Sequence, residues 1–116
     1  MCQYHSWARD EADNFVIECT RCHKIQVAFG MFMASFSANE FHAFSNDIRN
    51  KTGQLHPVEH TSDKTIVLKT PCDSLKLLFS YNELQQLHRL LDEADTEMKT
   101  QQMLQLFDIP NEQSGS

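Results

Sequence analysis

Two short stretches, FSANEF at residues 36–41 and FSYNEL at residues 79–84, nearly repeat each other. Each follows a run with strand-like alternation and precedes apolar residues at helical spacing. Serine is a good N-cap, because its side-chain oxygen accepts a hydrogen bond from a backbone N–H in the first turn. A glutamate three residues later can bond back to the N–H of the cap residue. The stretches therefore predict two strand-to-helix corners, each with a capping box.

The similarity extends into the residues before the corners. The sequence TRCHKIQVAF at residues 20–29 aligns with TPCDSLKLLF at residues 70–79, a spacing of 50 residues, whereas the corners are 43 residues apart. The difference is about the length of one strand. We interpret the chain as a duplicated hairpin–helix unit, ββ(β)α followed by ββα, with an additional strand in the first copy. Chance similarity between two amphipathic hairpins is the alternative.

The pattern predicts an α+β domain with a single, mainly antiparallel sheet of about five strands and two helices on one face. A chain of 116 residues fits one domain. Alternation places Phe15 and Ile17 on the inward face and Val16 on the opposite face. The predicted segments are an N-terminal coil (1–13), the first unit (14–50), a loop (51–63), the second unit (64–107) and a tail (108–116).

The opposite face of the sheet is unusually apolar for a surface in contact with water. It is predicted to carry Val16, Ala28, Met31, Met33, Val67 and Leu78. An exposed apolar patch commonly marks a partner surface, and methionine suits adaptable contacts. Self-association through this face is therefore one interpretation. The other is that the N-terminal coil or the segment 103–107 folds over it, and periodicity does not separate the two.

Composition excludes several classes of function. The net charge is −6 and no Lys/Arg cluster occurs, which argues against a general nucleic-acid binder. No apolar run is long enough to span a membrane, and residues 1–13 lack the features of a signal peptide. We therefore expect a soluble cytoplasmic protein whose four cysteines are reduced thiols or metal ligands.

The sharpest chemical feature is the C-x-x-C of Cys19 and Cys22 in a predicted hairpin turn. Two thiolates converging from neighbouring strands are typical of a structural zinc site, which needs four ligands. Cys2 and His5 are the best second pair, and His23 is the alternative ligand. The histidines at 56 and 60 are further candidates. Small, partly buried thiols without a metal are the competing interpretation.

Other uses of C-x-x-C-H fit this sequence poorly. Haem attachment requires export, and a thioredoxin-like pair requires a helix N-terminus.

For catalysis, the histidine candidates are His42, His56, His60 and His88, with Glu40, Glu59, Asp63 and Asp92 as the nearby carboxylates. No motif of a known catalytic site accompanies them. The inventory therefore favours a protein that is not an enzyme.

The sequence resembles a family of small, uncharacterised proteins of Bacteroidota. The resemblance rests on the C-x-x-C turn of Cys19–Cys22, the IQVAFG strand at residues 25–30 and the FSANEF corner at residues 36–41. It covers residues 15–107 and implies a domain of unknown function, with no activity to transfer. The function predicted is a non-enzymatic binding or protein-interaction module, with a homodimer and a structural zinc as further expectations. The rival is a small metal-dependent or redox-active protein that uses Cys19 and Cys22.

Overall fold

The computed structural model describes residues 3–54, 64–70 and 74–107. They form six strands and two helices. In chain order these are β1 (Tyr4–Arg9), β2 (Phe15–Cys19), β3 (Ile25–Phe29), β4 (Phe32–Phe36), α1 (Ala38–Gln54), β5 (Lys64–Lys69), β6 (Lys76–Ser80) and α2 (Tyr81–Phe107). The α+β class and the two helices are confirmed.

The strands form two sheets, so the prediction of one sheet with about five strands is wrong. The strands β1 to β4 make an antiparallel meander in sequence order, and β5 pairs antiparallel with β6 in a separate sheet. Side chains join the two: the ring of Phe79 lies 6.2 Å from that of Phe29 and 6.3 Å from that of Phe32. The periodicity of a strand fixes which face is buried but does not fix its pairing partner.

Both predicted capping boxes are present. At α1, the N–H of Glu40 donates to the Ser37 hydroxyl at 3.2 Å, and the N–H of Ser37 donates to the Glu40 carboxylate at 2.8 Å. At α2, the corresponding Ser80 and Glu83 bonds are 3.1 and 2.9 Å. A strand therefore leads into a capped helix twice, while the duplication of the whole unit stays a prediction.

The pKa of both capping glutamates lies below the usual range. For Glu40 the main cause is the N–H of Ser37, followed by the hydroxyl of Ser37. For Glu83 the main cause is the ammonium of Lys64, whose Nζ lies 2.7 Å from both carboxylate oxygens. Burial raises the pKa of Glu83, but the contacts with Lys64 and Ser80 outweigh it.

The N-terminal segment is a strand, which corrects the prediction of a coil over residues 1–13. The strand β1 pairs with β2 from Tyr4 opposite Cys19 to Arg9 opposite Phe15, with a register shift between Ser6 and Ala8. Such an irregularity interrupts the alternation by which a strand is recognised in a sequence. β1 is also an edge strand and mostly exposed, so its composition is polar.

The buried face of β2 is the reverse of the predicted one. Val16 pairs with Ala8 on one side and with Val27 on the other, and these three side chains are buried in the core. Directly paired residues share a face of the sheet. Phe15 therefore lies on the opposite face, where the guanidinium of Arg9 sits 5.3 Å from the centre of its ring.

Each helix buries an apolar stripe, and α1 extends further than predicted. In α1, Phe41 and Ile48 are buried, and the helix reaches Gln54 rather than ending near residue 50. The stripe of α2 is fully buried, comprising Leu84, Leu87, Leu91, Ala94 and Met98. The second helix packs against β1, β2, β5, β6 and α1, and it therefore unites the two sheets. No helix in the described ranges is long and apolar enough to cross a bilayer.

Candidate functional site

Trp7, Glu18 and His23 form a hydrogen-bonded group, the relay, on the buried face at one end of the four-stranded sheet. The indole N–H of Trp7 donates to one oxygen of Glu18 at 2.9 Å, and Nδ1 of His23 lies 3.1 Å from the other oxygen. A carboxylate oxygen accepts hydrogen bonds, so the His23 tautomer that donates to Glu18 has its proton on Nδ1. Nε2 of His23 is consequently the ring nitrogen left to interact with a ligand.

The turn between β2 and β3 positions His23 in this relay. The N–H of His23 donates to the carbonyl of Cys19 at 2.9 Å, and His23 has a φ of 62°. A residue with a side chain seldom adopts this left-handed conformation, which costs about 1–2 kcal/mol. The tertiary structure maintains the strain, and strained residues of this kind concentrate at functional sites.

The same turn brings the two cysteines of the C-x-x-C together. The N–H of Cys22 donates to Sγ of Cys19 at 3.5 Å, with Cys19 buried and Cys22 exposed. The backbone N–H and the hydroxyl of Thr20 donate to the carbonyl of Gln3 at 2.8 and 3.1 Å. These bonds fix the chain beside Cys2, although Cys2 itself lies outside the described residues.

The predicted histidine ligands lie on the Glu18 side of the sheet. His5 pairs with Glu18 across the β1–β2 ladder, and its ring meets that of Trp7 edge-on at 4.4 Å. Cys19 pairs instead with Tyr4, one position along the ladder. Within residues 3–54, 64–70 and 74–107, no three His, Cys, Asp or Glu side chains are grouped so as to hold a metal ion. The predicted four-ligand set includes Cys2 and stays a prediction.

A groove opens over the relay, between this end of the sheet and the end of α2. It consists of two adjoining cavities of about 270 and 240 Å³. Both cavities are lined by Trp7, Glu18, His23, Gln101 and Gln105. The lining surface is mostly apolar, and an indole, an imidazole, a carboxylate and two amides supply its polar groups.

The glutamines follow the core stripe of α2 beyond its last buried residue. At about 100° per residue, Gln101, Gln102 and Gln105 lie on the helix face of Met98. Phe107 is about half a turn away from that face. The apolar side chains of this end are exposed to solvent: Met103, Leu104, Leu106 and Phe107, with Phe107 82% exposed. At the end of α2, the face that is apolar and buried up to Met98 becomes polar, and the exposed face becomes apolar.

A second ionisable cluster joins α1 to α2. Asp95 is buried, and one of its oxygens lies 3.4 Å from Nδ1 of His42. The other oxygen lies 2.8 Å from Nζ of Lys99 and 3.9 Å from the guanidinium of Arg49. Ser45 is buried on α1, and within the described residues neither its hydroxyl nor Oδ1 of Asp95 has a hydrogen-bond partner. The cluster fixes the helices against each other.

The other predicted catalytic candidates are dispersed. Glu40 is used in the capping box of α1, and His88 lies half-buried on α2. Asp92 is exposed and lies 4.0 Å from Arg49. His56, Glu59, His60 and Asp63 are outside the described residues. Among the described candidates, Glu40, His88 and Asp92 do not join the relay.

Sequence reasoning missed most of the groove. Trp7 falls in the segment predicted as coil, and Glu18 shares the face of β2 with Val16, which was predicted to point outward. The available signal was the change of the α2 stripe from Leu and Met to Gln at residues 101, 102 and 105. A polar continuation of a core stripe indicates that the helix face borders water or a ligand there.

Comparison with known proteins identifies the family of the chain. No curated protein and no solved structure matches it significantly. The model of a family of unknown function, DUF6686, matches residues 1–114. The Bacteroidota affiliation expected from the sequence stays a prediction. The chain therefore belongs to the DUF6686 family.

Proposed function

We propose that this chain is a non-enzymatic protein-interaction module that self-associates through the exposed end of α2. One observation carries the proposal: the apolar side chains of residues 103–107 point away from the core stripe of their own helix. Burying a large apolar side chain contributes about 1.5–3 kcal/mol. The exposed end of α2 therefore favours a contact that removes these side chains from water.

A second copy of the chain suits this surface. Residues 100–107, TQQMLQLF, contain no charged side chain, although the chain has a net charge of −6. Two copies can meet there without placing like charges in contact, and symmetric dimers are the commonest assemblies. The outward face of the meander, where Met33 is 61% exposed, is the alternative surface that the sequence favoured.

Light scattering after size-exclusion chromatography tests the dimer. We expect the wild type to be a dimer and Phe107→Lys to be a monomer with an unchanged circular dichroism spectrum. Met33→Lys is the matched control and should remain a dimer. A wild type that stays monomeric at high concentration contradicts self-association, and a monomer produced only by Met33→Lys assigns the interface to the sheet.

A structural zinc at the β2–β3 turn is a second candidate. It is supported by the N–H of Cys22 donating to Sγ of Cys19 at 3.5 Å, because a donor of this kind stabilises a thiolate. Cys2 and His5 would complete the site, with His23 as the alternative. The rival function, a redox pair, is less well supported because such a pair works best at a helix N-terminus.

Metal analysis of protein purified without chelator tests the zinc site. We expect about one equivalent of zinc in the wild type and less than about a tenth in Cys19→Ser and Cys22→Ser. Cys72→Ser is the control for loss of a cysteine outside the turn and should keep its zinc. A comparison of His5→Ala with His23→Ala then identifies the histidine ligand. A wild type without zinc removes the site.

A further inference from the structure

The groove over Trp7, Glu18 and His23 has the composition of a small-molecule site. Three of its side chains, Trp7, Glu18 and His23, are hydrogen-bonded to one another. Glu18 is fixed by two partners, and His23 is fixed by both Glu18 and the backbone of its turn. Preorganisation of this kind lowers the cost of binding a ligand.

The lining narrows the chemical class of the ligand. Within the described residues, no lysine or arginine lines either cavity, so the groove lacks the usual partners of a phosphate or carboxylate. The described residues also present no group of three metal-ligating side chains there, and a zinc site needs at least three. An uncharged organic ligand fits this lining better than an anion or a metal ion.

The remaining groups suit a flat ring with a polar edge. Trp7 offers an aromatic surface, and aromatic side chains stack on nitrogen heterocycles. Gln101 and Gln105 each carry an amide donor and an amide acceptor, which match the paired donors and acceptors on the edge of such rings. Each of the two adjoining cavities, of about 270 and 240 Å³, has room for a ligand of one ring system.

We propose that this groove binds an uncharged, planar nitrogen heterocycle of nucleobase size. The ring packs on Trp7, and His23 and the glutamines of α2 hydrogen-bond its edge. This site is separate from the exposed apolar face at the end of α2, so it adds a ligand to the proposed interaction module. It shares only His5 and His23 with the proposed zinc site, so the zinc content of the sample is known before the titration.

Trp7 provides a direct assay, because it is the only tryptophan of the chain. Its indole N–H gives one resolved signal in a proton–nitrogen correlation spectrum of the full chain. We would titrate adenosine, guanosine, cytidine and uridine to millimolar concentration, with adenosine monophosphate, benzoate and zinc chloride as charged probes. The zinc content of the sample is measured first.

The variants are two glutamines of the same helix. Gln105→Ala removes an amide from the groove, and Gln86→Ala removes an exposed amide that lies outside it. We expect a saturable shift of the Trp7 signal with at least one nucleoside. Loss of one hydrogen bond should weaken that binding about fivefold in Gln105→Ala and leave Gln86→Ala unchanged.

Several results would overturn the proposal. One is the absence of a saturable shift with every nucleoside at millimolar concentration. Others are equal binding by the two variants and a shift with adenosine monophosphate but not adenosine. Zinc chloride is the control for the proposed zinc site, because the ring of His5 contacts Trp7. Because the dimer is read by light scattering and this site by the Trp7 signal, one proposal can fail while the other holds.

Discussion

Replacing the cap serine of α2 by alanine should destabilise the protein more than the same change at α1. In Ser80→Ala, the N–H of Glu83 loses its acceptor at 3.1 Å in a partly buried position. Ser80 is buried, whereas the corresponding bond at Ser37 is exposed to water. Water can replace the lost hydroxyl at Ser37 but reaches Ser80 poorly, so the buried donor bears more of its desolvation cost.

The magnitude follows from these environments. Loss of a serine N-cap costs about 0.5–2 kcal/mol, and an unsatisfied buried donor lies toward the upper end. We expect a loss of about 1.5 kcal/mol for Ser80→Ala and about 0.7 kcal/mol for Ser37→Ala. For a chain of 116 residues, about 1 kcal/mol corresponds to a melting-temperature decrease of roughly 4 °C.

Urea unfolding followed by circular dichroism measures both losses. Ser80→Thr is the control, because threonine also caps a helix and should recover most of the stability. The m-value should stay constant, since the surface exposed on unfolding is unchanged. A loss at Ser37 equal to or larger than that at Ser80 would refute the assignment of the buried cap as the stronger one.

Three further predictions concern the core, the turns and acid stability. Leu91→Ala should cost about 2–5 kcal/mol in urea unfolding, whereas the exposed Leu104 should tolerate alanine within about 0.5 kcal/mol; equal losses would contradict the burial. Gly30→Ala should cost about 1 kcal/mol because φ is +58°, while Gly53→Ala inside α1 should stabilise by about 0.5–1 kcal/mol, and losses in both variants would count against this assignment. The lowered pKa of Glu83 stabilises the fold above its ordinary value of 4.5, and this contribution is lost as pH falls through the lower folded value. Glu83→Gln should therefore flatten the decrease in melting temperature below that pH, and an unchanged acid slope would exclude this contribution.

The sequence by itself determined the features that depend on local chemistry. A serine and a glutamate three residues apart, just before an apolar run, indicate a capped helix start, because the partners are close along the chain. Both corners were therefore predictable to the residue. The apolar stripe from Leu84 to Met98 was predictable for the same reason, since helical spacing places these side chains on one face.

Only the tertiary structure decided the features that depend on distant partners. Three consecutive apolar residues, from Phe15 to Ile17, leave the phase of β2 undefined, and pairing with Ala8 and Val27 settles it. The groove also depends on residues that are distant in the sequence. Trp7 and Gln105 come from opposite ends of the chain and meet because β1 and α2 pack together, and local sequence does not encode that contact.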